Sequence, residues 1–352
     1  MRISNIRIYH GRLWLILALC VAGILSGCDW VRDDANDCPA ELKLRFVYDY
    51  NIKFADAFAH EVTSVCVWAF DKNGDLVWQG EESGEILATP DFEMTVPLNA
   101  GKYDFVAWCG LKNNSKFDLA TYTPSSKEEL IVSLNTLEEE GWSISEGYLP
   151  GLYHGVMVEQ EYSIDPYAPT YKIVTIPLVK DTNDIRIMLQ HLDGSPIANR
   201  DFSVTLTYGD KVLEWNNAIE QGAPEVVYKP WNIRYGQTLP PGAEHIGAES
   251  VKATETVSSL LFELSTSRLM AADKAVLTVH RNWDDTDIIR INLTSYLLMV
   301  RGNYGNISDQ EYLDRQDDYS VLFFIDENSN WYKAANVYIN GWARVPPQEE
   351  EI

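Results

Sequence analysis

The sequence predicts a mostly β protein, built as two β-sandwich domains with short helical inserts, and three observations carry that prediction. Short apolar stretches with a two-residue period recur along the chain. Gly, Asn, Asp and Pro punctuate them at short intervals. Long helical patterns between the strands, which a parallel α/β sheet requires, are absent.

The first strand is read at Leu42, Leu44, Phe46 and Tyr48, which alternate with Lys43, Arg45 and Asp49 and so put one face in a core. Residues 62–70 are apolar but for Thr63 and Ser64 and rich in β-branched side chains, the pattern of a strand at the centre of a sandwich. Asn73 and Gly74 then separate it from Leu76, Val77 and Trp78, a strong hairpin signal. Asp71, Asn73 and Asp75 also look like half of a calcium loop, but the closing glutamate is missing and the flanking strands favour a turn. A further hairpin is expected between 92–96 and 103–108, across Asn99, Ala100 and Gly101. Ser125 and Ser126 precede Glu128 and Glu129 as a capping box does, which predicts a short helix to about Leu137 with Leu130, Ile131 and Leu134 buried. Strands resume at 172–178 and 185–189, and 179–184 is the expected domain boundary. In the second half, 202–208, 226–228, 260–264, 275–279, 288–293, 321–325 and 337–339 read as strands, with Pro240, Pro241 and Gly242 breaking one loop and 310–313 helical. The expected division is 38–179 for the first sandwich, 180–345 for the second and 346–352 for an acidic tail.

The first residues have a different character. Arg2, Arg7 and Arg12 precede an apolar run at 13–25, too short to cross a bilayer comfortably and arranged as a secretory signal. Leu25, Ser26, Gly27 and Cys28 resemble a bacterial lipobox, which implies removal of 1–27 and acylation of Cys28. Each buried methylene contributes about 0.8 kcal/mol, so two or three acyl chains hold a protein to a membrane where one is marginal. Residues 28–37 are polar, without apolar period, and read as a tether. Asp29, Asp33, Asp34 and Asp37 resemble the signal that exports lipoproteins to the outer face of the outer membrane.

With a formal net charge of −24, and with the leader taking three arginines and no acid, the mature chain repels phosphate, so nucleic acid is excluded as a partner. Beyond Cys20 and Cys28, the cysteines are Cys38, Cys66 and Cys109, which allow one disulfide without fixing which. None of His10, His60, His154, His191, His245 and His280 has another at metal-ligand spacing. A nucleophile elbow, a P-loop and a dinucleotide fingerprint are all missing from the sequence. Acid pairs such as Asp284 and Asp285 read as solvated surface in so acidic a chain. No catalysis, metal or cofactor is expected. The eleven tryptophans raise a glycan-binding alternative; Trp68, Trp78 and Trp108 fall in or beside strands, where aromatics fill cores, and Trp215 and Trp231, in loop-like sequence, are the better candidates for a sugar.

Cys38, Pro39 and 42–51, Phe58, then 62–74 resemble the opening of the FimB-like fimbrial anchor family, lipoproteins of the type V pili of anaerobic Gram-negative bacteria. The likeness continues at Ala100 to Trp108, at Leu152, Tyr153, His154 and Gly155, and at Ile339, Asn340, Gly341 and Trp342. It implies two transthyretin-like sandwiches, attachment to the outer membrane through lipid, and fimbrial stalk subunits as partners by strand complementation. In such a scheme a stalk subunit loses its first strand and a neighbour's strand fills the groove with main-chain bonds and alternate side chains. An anchor keeps its own, here with Leu42, Leu44, Phe46 and Tyr48 in the groove and Arg45 shielded by pairing. The C-terminal segment with Val337, Ile339 and Trp342 is then the candidate subunit contact, pairing either in its own sheet or with a neighbour. A place at the base or the tip of a fibre, and a host protein or glycan as ligand, remain open alternatives.

Overall fold

The structure, a computed structural model, describes residues 41–164, 171–238 and 257–347. Leu25, Ser26, Gly27, Cys28, the tether, Cys38, His245, the 240–242 loop and residues 348–352 of the acidic tail lie outside these residues. The architecture is mostly β. In a three-stranded sheet, β1 (Glu41–Val47) lies between β4 (Glu93–Val96) and β11 (Tyr171–Pro177). A five-stranded sheet has β2 (Ser64–Asp71) and β5 (Gly101–Cys109) inside, with β3 (Leu76–Ser83) beyond one and β10 (Tyr153–Tyr162) and β12 (Val179–Lys180) beyond the other. A second three-stranded sheet joins β6 (Phe117–Leu119), β7 (Val132–Leu134) and β15 (Val212–Leu213).

The rest forms two six-stranded sheets. One runs in the order β20 (Thr286–Asn292), β19 (Val276–Arg281), β14 (Phe202–Tyr208), β16 (Val226–Lys229), β9 (Trp142–Glu146), β8 (Leu137–Glu139). The other runs β17 (Asn232–Thr238), β18 (Val257–Thr266), β13 (Asn183–His191), β21 (Asp318–Ile325), β22 (Val337–Ile339), β23 (Trp342–Arg344). Three short α-helices complete the described residues: α1 (Phe58–Glu61), α2 (Leu293–Leu298) and α3 (Asp309–Arg315). Ser308 caps α3 by accepting the Glu311 N–H, so the expected helical insert is present.

The central strands β2 and β5 of the five-stranded sheet are buried on both faces, which is why 65–70 reads as an unbroken apolar run. Val65, Val67, Ala69, Phe105, Ala107 and Cys109 face the core shared with β1, β4 and β11. Cys66, Trp68, Phe70, Val106 and Trp108 face a larger core that holds β6, β7 and the inner faces of the six-stranded sheets. Strands of 132–146 pair with strands of 212–229: Val132 lies opposite Leu213, and Ser143 opposite Val226 in a parallel pair. The chain passes from the five-stranded sheet to β13 at Asp181 and Thr182, both buried.

Three local expectations are corrected. The 92–96 and 103–108 segments are both strands but not a hairpin: β4 pairs with β1, and β5 crosses to lie between β2 and β10. Burial explains the choice, since β5 is apolar on both faces and needs a central position, while β4 buries only Met94 and Val96. The helix expected from Ser126 to Leu137 is one 3-10 turn at Lys127–Glu129, followed by extended chain. Glu129 does accept the Ser125 N–H at 2.8 Å, but one capped turn does not propagate where Leu130, Val132 and Leu134 are drawn into the core with a period of two. The 288–293 strand also ends earlier, at Asn292, and Leu293 opens α2.

Candidate functional site

The geometry of β1 follows from its alternation. Leu42, Leu44 and Phe46 are at most 2% exposed, and Tyr48, just past the strand, is 1% exposed. Phe46 stacks on Phe58 and Phe92 at 5.8 and 6.3 Å, and Tyr48 meets Tyr153 edge to face at 5.1 Å. Burial, and next the nearby Asp317 carboxylate, raise the Tyr48 pKa above that of an ordinary phenol. Filling the groove with these side chains stabilises it by about 1.5–3 kcal/mol each, an upper estimate.

Both edges of β1 are occupied. It runs parallel to β11 from Glu41 opposite Tyr171 to Val47 opposite Pro177, and antiparallel to β4 from Leu42 opposite Val96 to Arg45 opposite Glu93. On the outer face Arg45 donates to Glu93 Oε1 at 2.5 Å, and Lys43 lies 3.5 Å from Glu93 Oε2. Beyond the strand, Asp56 accepts the Tyr48 N–H at 2.9 Å and fixes the exit of the chain. Sequence reasoning missed Glu93, Asp56 and the parallel partner, all of which are remote from β1 in the chain or carry no pattern.

At the other end, Val337 and Ile339 are 1% and 0% exposed and lie in β22, with Ile339 opposite Val321. Asn340 and Gly341, at φ 49° and 79°, make the turn to β23. Both central residues thus have the positive φ of the tight turns that suit β-hairpins. Asn340 also clasps Ser320, donating its N–H and accepting Ser320 N–H through Oδ1, each at 2.8 Å. In β23, paired on one side only, Trp342 is 42% exposed, and Arg344 Nε donates to Met299 O at 2.8 Å. The Asn-Gly pair in an apolar setting was the signal that would have found β23.

Other singled-out residues are structural in their surroundings. Asp71 accepts the N–H groups of Asn73 and Asp75, so its carboxylate closes the hairpin turn, and these bonds hold its pKa below the usual range. Cys66 and Cys109 are buried free thiols on opposite faces of the five-stranded sheet, and burial pushes Cys66 up to about 12. His154 is buried against Trp108, its Nε2 lies 2.8 Å from Trp215 O, and burial lowers its pKa to about 4. Trp215 packs against the core under Lys127 Nζ, 4.4 Å from the ring centre, whereas Trp231 is 38% exposed beside Tyr148. Among the described residues no group of three or more His, Cys, Asp or Glu could hold a metal, and no helix is long and apolar enough to cross a membrane.

Comparisons with known proteins add a family. The profile described as fimbrillin-A associated anchor proteins Mfa1 and Mfa2 matches residues 35–345. Two solved Bacteroides thetaiotaomicron structures are similar over nearly their whole length. One, provisionally described as polysaccharide-binding, has a TM-score of 0.72 at 27% identity over 89% of this chain and 100% of its own. The other, provisionally described as an adhesin, has a TM-score of 0.72 at 30% identity over 87% and 97%. The Porphyromonas gingivalis fimbrial anchor protein Mfa2 shares the fold, with a TM-score of 0.61 at 16% identity over 87% and 99%. No curated protein matches.

Proposed function

Given that the chain belongs to the family of fimbrillin-A associated anchor proteins Mfa1 and Mfa2, we propose that it fixes a fimbrial fibre to the outer membrane and ends polymerisation by retaining its own first strand. Its role is of the fimbrial anchor or adhesin type, in the cell envelope and in company with other fimbrial subunits. The family is structural rather than enzymatic in character.

The observation that carries the proposal is β1 held between β4 and β11 with Leu42, Leu44, Phe46 and Tyr48 buried. A groove filled by its own chain offers no place for an incoming strand, because the main-chain donors and acceptors and the side-chain pockets are already used. Pairing and the ion pair to Glu93 shield Arg45 from an arginine-directed protease. Acylation at Cys28, with recognition through Leu25, Ser26 and Gly27, supplies the membrane end. The stalk subunit meets the one-sided strand β23, which Val337 and Ile339 support from within and which carries Trp342. The first unit comprises the sheets of β1 and β2, and the second takes in β6 to β9 with residues beyond Asp181.

A protease site inserted in the 49–57 segment tests the termination step. The uncut protein should not take up a peptide copying a stalk subunit's terminal strand, and the cut protein, once β1 is released, should. Uptake by the uncut protein overturns the proposal. On cells, loss of this protein should give shed or overlong fibres, and Cys28→Ala should release it into the medium; short fibres that stay attached would place it at a tip.

A further inference from the structure

The six-stranded sheet that begins with β20 has one face in the core, and its other face carries a trough. Two adjoining hollows, of about 540 and 590 Å³, share Thr205. The first is lined by Trp142, Thr207, Thr278 and Arg290, the second by Ser203, Lys229 and Trp231. Strand register arranges the floor: Arg290 lies opposite Thr278, and Thr278 opposite Thr205, in one row across β20, β19 and β14. In the neighbouring row Thr207 lies opposite Val227, and Val227 opposite Ile144. Thr205, Thr207 and Thr278 therefore share the middle of the trough with Ile144, Val227 and Val276, while an indole stands in each hollow.

Those indoles are 51% exposed at Trp142 and 38% at Trp231, and Tyr148 holds the second edge to face at 5.7 Å. Tryptophan is usually highly buried, so a pair of them exposed on one face calls for a ligand with its own apolar surface. A protein partner fits less well, because serine and threonine are under-represented among the residues that carry protein–protein affinity, and here Ser203, Thr205, Thr207 and Thr278 line the trough. A sugar fits: its C–H face lies on an indole while its hydroxyls exchange hydrogen bonds with threonine side chains.

Charge narrows the class. Among the arginines of the described residues, Arg290 alone has neither an ion pair nor a hydrogen bond. Lys229, the other cation in the trough, is neutralised by Glu139 and Glu146, each at 3.0 Å. Glu225 flanks β16 at the Trp142 side, away from the row that Arg290 shares with Thr278 and Thr205. In a chain this acidic, an unpaired guanidinium beside threonine hydroxyls complements a carboxylate, which its fork binds in two places. Remote acids on the same protein oppose this little, since charges more than about 10 Å away are screened at 0.1 M salt.

We propose that this trough binds an acidic glycan, with a sugar carboxylate on Arg290 and sugar rings against Trp142 and Trp231. The test titrates the mature protein by calorimetry with a galacturonate hexamer, a hyaluronan hexasaccharide and sialyllactose, each beside its methyl-ester form. At least one acid should bind saturably, and its ester about tenfold more weakly. Arg290→Gln, Trp142→Ala and Trp231→Ala should each weaken binding about tenfold with unchanged melting temperature, because all three side chains are exposed. Absence of saturable binding to all the acids, equal affinity for acid and ester, or full affinity in Arg290→Gln would overturn it. The outcome is independent of anchoring, which the strand experiment reads.

Discussion

Strand β1 has a partner on each side and turns Leu42, Leu44 and Phe46 inward, whereas β23 has one partner and leaves Trp342 42% exposed. The two lie near opposite ends of the described chain. All seven residues of β1 lie opposite a residue of β11, and Leu42 to Arg45 lie opposite β4 as well. At β23 three residues present an open edge, short enough to limit unspecific pairing. The contrast is between a strand enclosed within its own sheet and a three-residue strand at a sheet edge, and the proposed anchoring role draws on both. A parallel pair of the same kind recurs where β13 lies between β18 and β21.

Mutation separates the two ends. Phe46→Ala removes a ring stacked on Phe58 and Phe92 in a closed core and should cost about 3–5 kcal/mol by urea denaturation. A loss below about 1 kcal/mol would mean that β1 contributes little to the fold and could be vacated. Gly155 sits where β10 passes β11, and a Cβ there would lie 2.6 Å from Ile176 Cγ2 and 2.8 Å from the Pro177 carbonyl. Because backbone cannot give way cheaply, Gly155→Ala should destabilise by about 1–3 kcal/mol and loosen the β11 side of β1, read as faster amide exchange in 42–47.

Smaller effects sharpen the other end. Gly341→Ala forces a side chain into φ 79° and should cost about 1 kcal/mol, with exchange quickening in β22 and β23 while β1 stays protected. Trp342→Ala should change stability by no more than about 0.5 kcal/mol, yet weaken capture of a purified stalk subunit. A large stability loss with unchanged capture would instead make β23 a closing strand and nothing more.

How much of this was legible depends on the range of the interaction. Leu42 to Tyr48 announced their strand and its buried face through alternation alone, and 62–70 announced a strand covered on both faces. The Asn73 and Gly74 turn was equally plain. Missed features were those fixed at a distance: the parallel pairing of β1 with β11, of β13 with β21, and of β9 with β16 leaves no local trace. The segment after Ser126 carried a good capping signal that tertiary burial of Leu130, Val132 and Leu134 overrode. In the trough, Trp231 was singled out from sequence, while Trp142 and Arg290 became neighbours of the same floor only through strand register.

The most direct measurement is the intact mass and amino-terminal sequence of the mature protein recovered from cells. The account predicts one species that begins at an acylated Cys28 and still carries Leu42, Leu44, Phe46 and Tyr48. A mature species beginning at Phe46, cut after Arg45, would contradict it.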